Sequence, residues 1–163
     1  MGTQGQRIKP IMWQRIKQRL QGRRNHGAGG ETGEAAVAAA AVLLQLMARA
    51  DYQDQAEEQA AARRALMRAL DLPAARAEAA LAAAARQAGG ATDLFSFTRT
   101  LNRHLSRQGR VALVEALWVV AYADGVLDKH ERHLMRRLAD LLHVSHRDYI
   151  AAKMRARAAA GGG

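Results

Sequence analysis

The sequence predicts an all-α protein: a compact bundle of about seven helices in two pseudo-repeats, preceded by a short basic N-terminal helix. Three observations lead there. Alanine, the strongest helix former, supplies 37 of 163 residues, and glycine gathers mainly near the ends and at breaks between periodic segments. Apolar residues recur every three or four positions through most of the chain. Finally, two stretches resemble each other. Leu44-Gln-Leu-Met-Ala-Arg-Ala-Asp51 lies over Leu117-Trp-Val-Val-Ala-Tyr-Ala-Asp124 at an offset of 73, and Leu66, Leu70 and Leu72 lie over Leu138, Leu142 and Val144 at 72. A one-residue slip in the corner loop reconciles the offsets, and the period is that of a half-domain rather than of a solenoid unit.

Taken in order, residues 1–33 read as a basic amphipathic helix and a flexible linker. In Ile11–Leu20, Trp13, Ile16 and Leu20 share one stripe while Arg15, Lys17 and Arg19 lie off it. Gly22 to Gly33 carries the glycines of a linker. The helical domain is expected over 34–158. Glu34–Ala50 places Val37, Ala41, Leu44 and Ala48 on one face, and Glu57–Leu70 turns Leu66, Met67 and Leu70 inward. Pro73 suits the first turn of a helix running to about Ala88, and Thr92 suits the cap of the next, through Leu94, Phe97, Leu101 and Leu105. Arg110–Ala123 is the most apolar helix. Lys129–Leu142 buries Leu134, Leu138, Leu141 and Leu142 behind an outer face of Arg132, Arg136 and Arg137. Ser145, with Asp148 three residues on, caps the last helix, and residues 159–163 read as a disordered tail.

Composition narrows the function classes. The chain has no cysteine, which removes disulfides, thiolate metal sites and a cysteine nucleophile. No apolar run approaches a membrane span, and the first twenty residues are too polar for a signal peptide, so the expected location is cytoplasmic. The net charge of +10 is unevenly placed. Residues 1–30 hold seven Lys/Arg and no acid, residues 151–163 hold three, and the body between them balances 15 basic groups against 15 acids. Basic termini touching an anionic surface are therefore favoured over a basic groove built into the fold. For residues 11–20 the readings are a tail docked on its own domain, a contact with the inner-membrane surface, or a contact with a partner protein. Lipid is preferred to nucleic acid, because the cations accompany an apolar stripe and no stacking platform.

The chemistry concentrates at Ala121-Tyr-Ala-Asp-Gly-Val-Leu-Asp-Lys-His-Glu131, which puts Asp124, Asp128 and Glu131 at one helix-turn-helix corner. Gly125 stands where a helix should close, and Asp128 and Glu131 fit the N-cap and third position of the next. Two readings stay open: a capping pair, or a hard-cation site for Mg²⁺ or Ca²⁺ built from these carboxylates, backbone carbonyls and water. The spacing is not an EF-hand loop. His130, His133, His143 and His146 offer pairs that could face zinc or nickel, or simply an exposed polar face. No phosphate loop or serine elbow appears, so no enzyme is expected.

Continuing the corner, His-Leu-Met-Arg-Arg-Leu-Ala-Asp-Leu-Leu-His-Val-Ser and Asp-Tyr-Ile-Ala-Ala-Lys complete a run that resembles the TerB-like family of bacteria, first named for tellurite resistance. The resemblance covers about residues 34–154 and is closer in the second half. It implies a helical fold of two pseudo-repeats, corner acids proposed to bind divalent metal, and stress-response complexes with protein partners at the inner face of the membrane. A related domain occurs in membrane-anchored J-domain co-chaperones, but this chain has no His-Pro-Asp tripeptide. The second corner carries the motif whole. At the first, Asp51 and Glu58 match, Tyr52 replaces the glycine, and Gln55 stands where the second acid would be.

Overall fold

The computed structural model describes residues 29–48, 55–87, 93–123 and 127–161. It divides the chain into a unit of residues 1–31 and a compact unit of residues 32–163. The expected basic helix at 11–20, with Trp13, and nearly all of the expected linker lie outside the described residues. The described residues form seven α-helices and no strands: α1 (Gly29–Ala48), α2 (Gln55–Leu70), α3 (Ala74–Gln87), α4 (Leu94–His104), α5 (Arg107–Tyr122), α6 (Lys129–Leu141) and α7 (His146–Gly161).

Helix boundaries follow their caps. Asp93 caps α4 by accepting the Ser96 N–H at 3.3 Å, so the cap assigned to Thr92 by sequence belongs to its neighbour. Ser106 caps α5 by accepting from the Gly109 N–H at 3.1 Å, which starts that helix three residues before the expected Arg110. Ser145 caps α7 through the Asp148 N–H at 3.2 Å, as its spacing predicted. Two ends differ from expectation: α1 begins at Gly29, inside the stretch read as linker, and α7 continues to Gly161, past residue 158.

Helix α5 is the axis of the domain, packing against α2, α6 and α7, while α2 also packs on α3 and α4 on α6. Its Leu113, Val114, Leu117 and Trp118 expose none of their surface. Around it, Leu43, Leu44, Leu66, Leu101, Met135, Leu138 and Leu142 are equally enclosed, and alanines such as Ala40, Ala62 and Ala77 let backbones approach closely. Each enclosed leucine stabilises the fold by roughly 1.5–3 kcal/mol relative to exposure. The three aromatic rings of the second half gather here. Trp118 stacks on Tyr122 at 5.6 Å and meets Tyr149 at 5.5 Å.

Two polar contacts tie the first three helices. Gln45 is 2% exposed, exchanges hydrogen bonds with Gln59 in both directions at 2.9 Å, and donates to the Leu81 carbonyl at 3.1 Å. Arg63–Glu78 and Arg76–Glu34 are exposed ion pairs on the same helices. Between α5 and α7, Arg107–Asp148 and Arg155–Glu115 do the same at 2.8 Å each. Exposed pairs of this kind are worth about 1 kcal/mol or less.

Helices α2 and α6 end alike. Asp71 and His143 adopt φ of 54° and 55°, left-handed values that non-glycine residues seldom take. Past them the Leu72 N–H donates to the Met67 carbonyl and the Val144 N–H to the Ala139 carbonyl, both at 3.0 Å. Leu72 and Val144 then fold back on the core, each 9% exposed. This is the left-handed helix stop with its apolar clasp, closed by an aspartate and a histidine where glycine is usual.

Candidate functional site

The acidic corner opens α6. Asp128 holds an extended backbone (φ −82°, ψ 171°), and its Oδ1 accepts the Glu131 N–H at 2.7 Å. Its carbonyl accepts the Arg132 N–H at 3.2 Å, so the N-cap predicted from spacing is present in side chain and main chain. The remaining carboxylate oxygen, Oδ2, makes no hydrogen bond or ion pair among the described residues. Glu131 follows the helical turn inward and is 4% exposed, sharing the buried stripe of Met135, Leu138 and Ala139. The Arg132 guanidinium donates to the Leu127 carbonyl at 3.2 Å and so brackets the loop from outside.

Of the five carboxylates singled out by sequence, Asp128, Glu131 and Glu58 are described, whereas Asp51 and Asp124 lie outside the described residues, as do Gly125 and Tyr52. Glu58 is 7% exposed in the first turns of α2. A buried glutamate therefore sits near the start of both α2 and α6, 73 positions apart. Among the described residues, no three His, Asp or Glu side chains come together as a metal-holding group. In donor chemistry the corner suits a hard cation: two carboxylates in one helical turn, with no thiolate available.

The four clustered histidines go separate ways. His130 and His133 are exposed on α6, His143 occupies the left-handed turn, and His146 faces Tyr149 with ring centres 6.3 Å apart. The turn geometry gives His143 a structural task, and the pairs whose spacing could face zinc or nickel have no third His, Asp or Glu beside them among the described residues.

Two ionisation shifts lie nearby. The Arg107 guanidinium, helped by the Ser145 hydroxyl, holds the Asp148 carboxyl below its ordinary value. Burial pushes the Tyr149 phenol above its own, against the opposing pull of Arg136, so the phenol is protonated at neutral pH.

Sequence reasoning missed one feature altogether. Lys129, Arg132 and Arg136 form a stripe on the outer face of α6, and across a cleft from them stands Lys153 of α7, with Trp118 and Tyr149 at the base. The signal was present in the i, i+3, i+7 spacing of those cations, but a charged outer face ordinarily means only solvent. The pairing with Lys153 depends on how α6 and α7 pack.

No helix among the described residues is long and apolar enough to cross a membrane. No curated protein and no solved structure matches the chain. A family model, that of the tellurite resistance protein TerB, matches residues 37–154. That span runs from the first buried valine of α1 to Met154 in α7 and takes in both glutamate-bearing helix starts. The chain belongs to the TerB family.

Proposed function

We propose that this domain is a non-enzymatic TerB-type interaction module whose second corner, Asp124, Asp128 and Glu131, holds a divalent cation, Mg²⁺ or Ca²⁺ before Zn²⁺. The observation that carries the reading is Glu131, a carboxylate 4% exposed one helical turn from the cap Asp128. Asp128 and Glu131 thus bring two carboxylate side chains into one helical turn, and hard cations are bound by several such oxygens in a small volume. The first corner, with Asp51 and Glu58 but Gln55 at the second acid position, is the weaker ligand set. The cation's role is to stiffen the corner against which a protein partner docks. The sequence carries no cysteine, phosphate loop or serine elbow motif, and the reading is of binding and not of turnover.

Melting wild type, Asp124→Ala and Asp128→Ala in rising Ca²⁺ or Mg²⁺ tests this. A bound ion raises the wild-type midpoint progressively, by about 2.7 kcal/mol of stability at a hundredfold excess over Kd, and both variants lose that rise. Equal ion dependence in all three proteins, or none in wild type, removes the metal from the account.

A second reading rests on the seven unopposed cations of residues 1–30. They favour attachment of the module to an anionic membrane surface through the Trp13/Ile16/Leu20 stripe. Flotation with anionic liposomes, with and without residues 1–30, checks it. Binding that survives the truncation excludes the tail as its cause.

A further inference from the structure

The cleft between α6 and α7 has a volume of about 530 Å³, within the size range of small-ligand sites. Its walls carry Lys129, Arg132 and Arg136 from α6 and Lys153 from α7, and His130 and His133 line it as well. No acid lines it, and none of these four cations is ion-paired among the described residues. Asp140 belongs to the adjoining smaller cavity, shared with Arg136 and Tyr149. Cations converging on one cleft repel one another unless an anion joins them. Arginine in particular matches phosphate with paired donors.

The base of the cleft supplies a second, independent observation. Trp118 is fully enclosed, yet its indole N–H has no hydrogen-bond partner among the described residues. Buried tryptophan N–H groups ordinarily find an acceptor. The Lys153 ammonium lies 5.1 Å from the indole centre and covers the ring. An anion that draws Lys153 outward would open the indole to the cleft and bring an acceptor toward it. Ile150, 39% exposed, adds an apolar wall for the organic part of a ligand.

The corresponding positions of the first half show what a closed version looks like. At the offset of 73, Gln45 and Gln59 correspond to Trp118 and Arg132; at 72, Glu78 and Leu81 correspond to Ile150 and Lys153. In the first half those positions satisfy one another. Gln45 bonds Gln59 and the Leu81 carbonyl, and Glu78 takes Arg63. In the second half, cations (Arg132 and Lys153) stand at the positions of Gln59 and Leu81, and apolar side chains (Trp118 and Ile150) at those of Gln45 and Glu78.

We propose that the α6–α7 cleft is a binding site for a phosphate-bearing ligand, gripped by Lys129, Arg132, Arg136 and Lys153 above Trp118. The phosphate can belong to a soluble phosphorylated molecule or to a phosphomonoester lipid headgroup, and the test separates the two. This site is distinct from the acidic corner and does not depend on a metal there.

The experiment uses the full chain carrying Trp13→Phe, which leaves Trp118 as the sole tryptophan. Its emission is followed against inorganic pyrophosphate, against vesicles of phosphatidylcholine with or without phosphatidic acid, and against sodium chloride of matched ionic strength. The expected result is a saturable change with pyrophosphate, or with phosphatidic acid vesicles alone if the source is a headgroup. Arg132→Gln with Arg136→Gln should weaken it by about tenfold or more, whereas Arg86→Ala with Arg99→Ala, exposed cations outside the cleft and outside residues 1–30, leaves it unchanged. Circular dichroism of the glutamine pair checks that the helices are intact, and Lys153→Met supplies an independent variant with the same expectation. The proposal is overturned if neither phosphate source produces a saturable response, if chloride reproduces it, or if the cleft variants respond as the parent does.

Discussion

The first and second halves of this domain match at several positions and differ in what surrounds them. Both α2 and α6 carry a buried glutamate near their start, Glu58 and Glu131, and both end on a left-handed residue with an apolar clasp. Enclosed positions keep step as well: Ala62 and Met135 are both 0% exposed at an offset of 73. The interiors then part company. The first half closes on a buried amide, Gln45, which bonds the Gln59 amide in both directions and the Leu81 carbonyl. The second half closes on Trp118, whose N–H has no partner among the described residues and whose outer rim is cationic.

The largest way to break this comparison is Trp118→Ala. Removing a fully enclosed indole at the centre of α5 should cost about 3–5 kcal/mol by urea denaturation. Gln45→Ala, which removes the buried bonds to the Gln59 amide and the Leu81 carbonyl, should cost less, about 1–3 kcal/mol. If Gln45→Ala proves the more damaging, the first half and not α5 is the keystone. Next comes Asp128→Ala, which removes the α6 cap for about 1 kcal/mol in metal-free buffer.

Smaller still is the paired replacement of the left-handed residues. His143→Gly should stabilise by up to about 1 kcal/mol, since glycine takes that conformation without steric cost, and Asp71→Gly should gain less because aspartate tolerates it better. A loss at His143 would mean the imidazole makes contacts that outweigh the backbone. The finest test concerns Asp148, whose carboxyl is held below its ordinary value by Arg107 and Ser145. A lowered folded value means the contribution is complete above the ordinary carboxylate range and is lost as pH falls through the lowered value. Asp148→Asn should therefore flatten the acid limb of the stability–pH curve slightly and leave stability near pH 7 little changed beyond the lost exposed pair.

Much of this was legible in the residues. Helical periodicity placed all seven described helices, because alanine-rich faces with leucine at three- and four-residue steps have no competing strand pattern. Asp128 was readable as a cap because an acid three residues before Glu131, after a loop, is a local signal. Thr92 misled because an adjacent aspartate competes for the same role, and one residue of helix start decides between them. His143 was readable in sequence only as an exposed histidine or one of a possible metal pair, and the left-handed turn that it occupies is visible only when the chain reverses toward Val144. The cleft was hidden for a similar reason. Formal neutrality of residues 31–150 argued against a basic groove, but neutrality is a sum, and packing sorts like charges onto one side.

Functional asymmetry between the corners is the claim on which the account rests, and amide NMR of the full chain on adding Ca²⁺ or Mg²⁺ tests it most directly. The account predicts saturable shifts confined to residues 124–131 and their neighbours at the base of α5, with the amides of 51–58 little affected. Shifts of equal size at both corners, or none at residues 124–131, would contradict it.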